Sequence, residues 1–506
     1  MEIFTERFGI ELPPAPPGDG SDVRLYPSSA AIATDVYEAV SDERGETARL
    51  ASNLVWQIEN RLHRQGWPTG LLIGSESRLV ETFSVGREVI REAVRIGEAH
   101  GSLQMRRGRG GGMVACKPEL APVSRAIADY IFCSGATATQ VRQACEVFEP
   151  LILAAVARRI SKLGETSEDF HCESSNPIRR YFALRRFVLD RIDDPVLALF
   201  WDISTRLAMH FIDRARMLDP DSAECLSKQE RAITQALLAG DAAQVETICA
   251  RNIRDAWLLD LLSVRRRAPS TRDGDTSIFL NAPANRSDHI VRALLEEVYK
   301  RDCGDRLGSE WDICSFTGAA RPIVRQALRK LEDHGLLESR RGRSGGIFTC
   351  KQKPGSIIRM VYPYLAANDV RGHQTLFMVW RMNLANVRLA GERALRFSQL
   401  ERDHHLRTVR AKVATMPNAA KWIGVQQVIS AIGENKVLDT LLRLLVGFAA
   451  RAEAPGCIPR PAWDTQVRQA CDVAGAILHG RVDLAETLQN RTQAVIEKLW
   501  IPGVAV

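Results

Sequence analysis

Two stretches of the chain carry the same arrangement of apolar and polar positions. In residues 87–99, Val89, Ile90, Ala93 and Val94 recur at helical spacing. In residues 321–333, Ile323, Val324, Ala327, Leu328 and Leu331 do the same. Each spacing predicts an amphipathic helix with one buried stripe. Arg87, Arg91 and Arg95, spaced by four, form a row on another face, as do Arg321, Arg325 and Arg329. Gly101 and Gly335 suit the helix ends, and Pro322 suits a first helical position.

The flanking pattern repeats as well. Ser75 and Ser309 stand where a helix N-cap belongs, with Glu76 and Glu310 in a first turn favoured by the helix dipole. A short helix to about Phe83, and its counterpart, is predicted there. SVG in one copy and GAA in the other make a tight turn before the arginine helix. After it, apolar or β-branched residues frame a glycine–arginine tip. That predicts two-stranded hairpins at 103–107 with 112–116, and at 337–341 with 346–350. Upstream, 49–66 and 287–301 show helical periodicity.

Sliding the chain by 234 residues aligns 74–112 with 308–346 without a gap, and 17 of 39 positions are identical. Unrelated segments share about a twentieth to a tenth, so the pattern reads as an internal duplication. Helix, helix, turn, helix and hairpin together form a winged helix-turn-helix. An arginine row of this kind can lie in the major groove, where arginine pairs with guanine or reaches phosphate. The capped helix start offers N–H groups to a phosphate, and the glycine tip lets backbone approach the minor groove. The candidate DNA-binding residues are Ser75, Arg87, Arg91, Arg95, Arg106, Arg107, Gly108 and Arg109 in the first copy. In the second they are Ser309, Arg321, Arg325, Arg329, Arg340, Arg341, Gly342 and Arg343.

Each feature alone has a plainer reading. An arginine row is often a solvated helix face, and RRGRGGG is often a mobile loop. Their joint recurrence in fixed register favours the nucleic-acid reading. A Walker-type phosphate loop is excluded, because GxxxxGK[ST] is absent. Each tip is single and framed by strand-like residues, which argues against a disordered RNA-binding repeat.

These residues resemble the signature of the GntR family of bacterial winged-helix regulators. Copy one reads LLIGSESRLVETFSVGREVIREAVRIGEAHGSLQMRRGRGGGMV, and copy two reads DRLGSEWDICSFTGAARPIVRQALRKLEDHGLLESRRGRSGGIF. The resemblance places the family's recognition arginines on Arg87 and Arg91, and on Arg321 and Arg325. Its wing glycine falls on Gly108 and Gly342. The family's proline before the Ser-Glu pair is Gly74 and Gly308 here. Its arginine in the preceding helix is Ser77 and Trp311, and its serine before the first recognition arginine is Gly86 and Ala320. The copies therefore suit unequal half-sites.

Residues 119–265 and 355–502 are helical in pattern and resemble the effector-binding domains of the FadR-like subfamily. The resemblance implies metal-ligand positions at Tyr181, Arg185, Glu230 and Asn252, and again at Trp422, Gln426, Ala470 and Thr492. Neither set suits a metal ion, so no metal or other cofactor is expected. His210, His404 and His405 read as satisfied or solvated singles.

The fold class expected is mostly α, with two winged helix-turn-helix domains each followed by an all-α bundle. The expected division is a disordered tail (1–28), a first winged helix (29–118) with an extra short helix at 29–40, a helical domain (119–265) and a linker (266–285). A second winged helix (286–353) and helical domain (354–506) follow. The linker composition starts at RRRAPSTRDGDTS, 265–277. A chain of 506 residues is too long for one core, which agrees.

The net charge of +7 permits a nucleic-acid partner but is thin over this length. No run of 18 apolar residues, no secretory pattern and eleven scattered cysteines suit a reducing cytoplasm with mostly buried, inert thiols. No nucleophile elbow, paired carboxylates or cofactor lysine argues for an enzyme. The expected function is a DNA-binding transcriptional regulator, more often a repressor in this family. It would act as a single-chain pseudo-dimer on a pseudo-palindromic operator of double-stranded DNA, tuned by a small organic-acid-type effector. A homodimer of fused chains stays open, as does a ligand-insensitive DNA-binding scaffold.

Overall fold

The computed structural model describes residues 49–108, 111–163, 174–211, 220–256, 286–333, 335–340, 342, 345–350, 354–417, 420–452 and 460–500. The expected tail, the helix at 29–40 and the linker composition at 265–277 lie outside the described residues. The described chain is mostly helical, with two small antiparallel sheets.

The first sheet unit runs α1 (Arg49–Arg64), β1 (Leu72–Gly74), α2 (Glu76–Phe83), α3 (Arg87–His100), β2 (Leu103–Arg106) and β3 (Gly112–Ala115). Ile90, Ala93 and Gly97 are buried along α3, so the apolar stripe turns inward. Gly101, at φ 70, ends the helix by donating its N–H to Glu98 and Gly97 carbonyls. A Cβ at Gly97 would collide with the Leu103 side chain, which shows how closely α3 and β2 approach. The Trp67 indole donates to the Cys116 carbonyl (2.8 Å) and ties the end of α1 to the exit of β3.

The second sheet unit has the same order: α10 (Arg286–Tyr299), β4 (Arg306–Gly308), α11 (Glu310–Thr317), α12 (Arg321–Asp333), β5 (Leu337–Arg340) and β6 (Gly346–Thr349). Val324, Ala327, Leu328 and Leu331 are buried on α12. The helix starts at Arg321, one residue before the proline expected to open it.

The sheets correct the expected hairpins. Each has three strands, ordered β1-β3-β2 and β4-β6-β5. Leu103 pairs with Ala115 and Arg106 with Gly112, while Leu72 pairs with Val114 on the other edge. The second sheet repeats this with Leu337–Thr349, Arg340–Gly346 and Arg306–Phe348. Three-residue edge strands are too short to display an alternating pattern, so nothing in the sequence announced them.

Among the described residues, six helices lie between the sheet units: α4 (Leu120–Cys133), α5 (Ala138–Leu163), α6 (Pro177–Leu189), α7 (Pro195–Phe211), α8 (Pro220–Leu238) and α9 (Ala242–Ala256). After the second sheet unit come α13 (Gly355–Ala367), a 3-10 turn (Gly372–Thr375), α14 (Leu376–Ala394), α15 (Gln399–Thr415), α16 (Lys421–Gly433), α17 (Lys436–Ala452), α18 (Arg460–Leu478) and α19 (Val482–Trp500).

The two helical blocks share a core. Ile127, Ile131 and Phe148 of the first belong to one apolar cluster with Ile358, Val361, Leu365 and Phe448 of the second. Helix α4 lies against α13, and α5 against α14 and α17. Polar contacts frame this seam. Asn435 donates to the Gln140 carbonyl and the Gln143 side chain (both 3.0 Å), and the Tyr364 hydroxyl donates to the Pro195 carbonyl (3.5 Å).

The sheet units dock across this seam in different ways. The first rests on α13 and α17, where Arg451 enters with its side chain only 2% exposed. Arg451 donates to Glu59 (2.9 Å), to the Trp56 carbonyl (3.1 Å) and to Asn60 (3.1 Å). Its guanidinium lies 3.4 Å from the Tyr362 ring centre. The second unit packs its core on Phe132 and Cys133 at the end of α4.

The described cysteines are all free. Among the described cysteines only Cys133, Cys145 and Cys249 are buried, and Cys303 is exposed, which corrects the expectation of mostly buried thiols. Burial pushes the Cys145 and Cys249 thiols well up, so these two are inert as thiolates.

Candidate nucleic-acid interface

The turn between α2 and α3 sets the candidate surface. Ser75 caps α2 by accepting from the Arg78 N–H, and Ser309 caps α11 in a reciprocal box with Asp312. Helix α2 ends at Ser84 with φ 51, and α11 ends at Gly318 with φ 65. Each left-handed residue turns the chain into the arginine helix.

Arg87, Arg91 and Arg95 are exposed along α3, and Arg321, Arg325 and Arg329 along α12. Glutamates of the preceding helices reach them. Arg91 Nε donates to Glu76 (3.2 Å). Glu310 accepts from both Arg321 (2.9 Å) and Arg325 (2.7 Å). Partial burial works against the charge on Glu310, but the two arginines outweigh it and hold the carboxyl below its ordinary range. Arg95 is held by Glu92 within its own helix (2.7 Å). Such exposed pairs are weak, about 0–1 kcal/mol, so these arginines can exchange a carboxylate for a phosphate or a base edge at little cost.

In the sequence alone, Glu76 and Glu310 have only a role at the helix dipole. Their link to the arginines depends on the angle between two helices. The clue available was the Glu itself, which recurs in both GSE triplets. Trp311, beside Glu310, is 76% exposed.

The sheet tips project from the same units. Arg106, Arg107 and Gly108 are exposed, with Gly108 at φ 106. In the second unit Arg340 and Gly342 are exposed, with Gly342 at φ 109. Arg340 lies 4.5 Å from the Phe348 ring centre and pairs with Glu338 (3.3 Å). Arg306 of β4 donates to the Gly345 carbonyl (3.2 Å) and braces this tip. Arg109, Arg341 and Arg343 lie outside the described residues.

The implied metal positions partly converge. Tyr181, Arg185, Glu230 and Asn252 line one cavity of the first helical block, about 50 Å³. Arg185 is buried and already satisfied. It donates to Glu149 (2.7 Å), Ser204 (2.6 Å), Thr205 (2.6 Å) and Tyr181 (3.1 Å), and stacks on Trp201. Trp422 and Gln426 line a smaller cavity, about 20 Å³, in the second block. Ala470 and Thr492 are buried on α18 and α19. Among the described residues, no three His, Cys, Asp or Glu side chains gather closely enough to hold an ion. His405 stacks on Phe397, with His404 edge-on to it, and the His210 side chain lies outside the described residues.

No protein-family model matches the chain, and no curated protein does. Solved structures similar to it include GntR of Streptococcus agalactiae, with 14% identity and a TM-score of 0.33 over 42% of this chain and 98% of that one. Lar, which controls expression of the Listeria monocytogenes agr system, shares 11% identity at a TM-score of 0.22, covering 42% of this chain and 95% of its own. A GntR structure from Rhodococcus sp. RHA1 shares 15% identity at 0.20, covering 43% and 98%. Among the described residues no helix is long and apolar enough to cross a membrane.

Proposed function

We propose that the chain is a GntR-type, sequence-specific DNA-binding transcriptional regulator. Residues 29–118 and 286–353 are its two winged helices, and 119–265 and 354–506 its helical domains. The observation that carries this reading is the pair of exposed arginine rows on α3 and α12. Each is tethered to a glutamate of the preceding helix and followed by a glycine-hinged basic tip.

Arg87 and Arg91, with Arg321 and Arg325, read base edges in the major groove. Arg95 and Arg329 reach phosphate beside them, and the capped starts at Ser75 and Ser309 bind phosphate. The tips, Arg106, Arg107, Gly108 and Arg109 with Arg340, Arg341, Gly342 and Arg343, follow the minor groove. The two readers address one pseudo-palindromic operator as a single-chain pseudo-dimer, and repression is the sign of regulation. A small molecule in the helical blocks tunes affinity.

DNA fragments selected from a random pool test this. Arg87→Ala with Arg91→Ala weakens binding to the selected site by several kcal/mol at most, each base contact being worth about 1–3. Substituting Arg109 and Arg343 weakens binding to all sequences and flattens its salt dependence. Unchanged specific affinity in the double α3 variant would overturn the assignment. The second reading, a ligand-insensitive scaffold, draws support from Arg185, whose donors are already engaged in the first cavity.

A further inference from the structure

The two candidate interfaces part company at the second residue of the helix before each arginine row. Helix α11 places Trp311 there, 76% exposed, where α2 places Ser77. The Ser77 hydroxyl is spent locally, sharing a hydrogen bond with the Ser75 hydroxyl (3.1 Å). A single exposed apolar side chain is ordinary by itself. The neighbours of Trp311 decide what this one can do.

Glu310, the residue before it, accepts from Arg321 (2.9 Å) and Arg325 (2.7 Å) across the angle between the helices. The start of α11 therefore lies along the first turns of the arginine helix. In a helix-turn-helix those turns meet base edges, and the preceding helix crosses the backbone. A side chain at the start of α11 accordingly stands at the groove wall, between backbone and bases.

The charge at this point is reversed between the copies. Exposed Arg78 follows Ser77, whereas exposed Asp312 follows Trp311. Asp312 also accepts the Ser309 N–H (2.7 Å), which removes one donor a phosphate could use. Carboxylates on both sides of Trp311 weaken an ionic contact to DNA there and leave a neutral one unpenalised. The major groove offers one apolar group to an aromatic ring, the 5-methyl of thymine.

We propose that Trp311 is a specificity-determining residue of the second reader, its indole seated on the 5-methyl group of a thymine in that reader's half-site. The first reader, with Ser77, lacks this selectivity. The proposal rests on the DNA-binding reading above and adds a base identity that the arginines do not supply, since their bidentate partner is guanine.

Competition binding by the full chain tests this, on an operator selected from a random DNA pool. The second reader's half-site is the one whose scrambling ceases to matter in Arg321→Ala with Arg325→Ala. Each thymine of that half-site is replaced in turn by uracil, which removes only the methyl group. At one position the unaltered chain loses affinity about fourfold, the contribution of one buried methyl group. In Trp311→Ser that loss disappears, and the salt dependence keeps its slope because no ionic contact has gone. The melting temperature of this variant is unchanged, since the side chain is exposed. A half-site without thymine overturns the proposal, as does uracil that costs nothing at every position. A fourfold loss that persists in Trp311→Ser, or a flatter salt slope in that variant, overturns it too. Failure to enrich any operator removes the DNA-binding reading and this proposal together, whereas an enriched operator indifferent to its methyl groups removes this proposal alone.

Discussion

The arginines of α3 and α12 are poised differently, and single glutamates set the difference. Glu310 engages two arginines where Glu76 engages one. On the proposed DNA-binding reading, Glu310→Gln removes a negative charge from the surface that would face the phosphates, and it releases both arginines. Nonspecific affinity then rises, the ratio of specific to nonspecific binding falls, and Glu76→Gln does the same to a smaller degree. Titrating each variant with selected and scrambled DNA at several salt concentrations reads both quantities. A second residue-level device is the clamp at Arg451. Burial opposes the Glu59 charge, but Arg451, with His100 and Ser102, outweighs it and lowers the Glu59 pKa. A depressed carboxylate contributes stability that is fully present above its unfolded value, about 4.3, and lost as pH falls through the lower folded value. Glu59→Gln should therefore flatten the acid limb of the stability profile in that window. Arg451→Met leaves Glu59 buried without its cation, and costs about 3–5 kcal/mol in denaturant melts. Combining the two changes should cost less than their sum, since they share one interaction.

The helices that carry the candidate interface were legible because two periodicities coincide in them. An apolar stripe at 3.6 residues marks the buried face, and arginines at every fourth residue mark the exposed one. The edge strands Leu72–Gly74 and Arg306–Gly308 were not legible, since three residues define no period. The Glu76–Arg91 link was hidden for another reason. It joins residues 15 apart through the angle between two helices, which local patterns do not encode. Buried Asn386, Gln426, Gln466 and Gln489 are less legible still, because they come from four helices of the second block that meet only on packing. The helix ends carry a further test. Ser84 holds φ 51 where Gly318 holds φ 65, and a side chain in that region is strained. Ser84→Gly should stabilise by about 0.5–1 kcal/mol, and Gly318→Ala should destabilise by a similar amount. Nothing lies within 4 Å of a Cβ at Gly318, so backbone conformation alone sets the cost there. A melting temperature that rises in Gly318→Ala would contradict this account.

At the scale of the whole molecule, the seam between the helical blocks decides how the two proposed readers act. Apolar residues of both blocks form one cluster, and Arg451 of the second block locks the first sheet unit. A protease site placed within 266–285 should therefore yield two fragments that still elute together, and that separate only under denaturing conditions. On the proposed function, reader pairing then precedes DNA binding. A separate subunit must be found from solution, whereas a linked reader meets its half-site at an effective concentration near millimolar. Binding to the selected operator should accordingly follow a simple hyperbola down to protein concentrations at which a two-subunit regulator would dissociate. Light scattering of the complex should give one chain per site. Trp311 and Ser77 hold the same position in the two readers, so swapping the half-sites in order should leave affinity unchanged, while duplicating either half-site should weaken it. A steep, cooperative isotherm with two chains per operator would instead make the seam a device for extending the site to four half-sites.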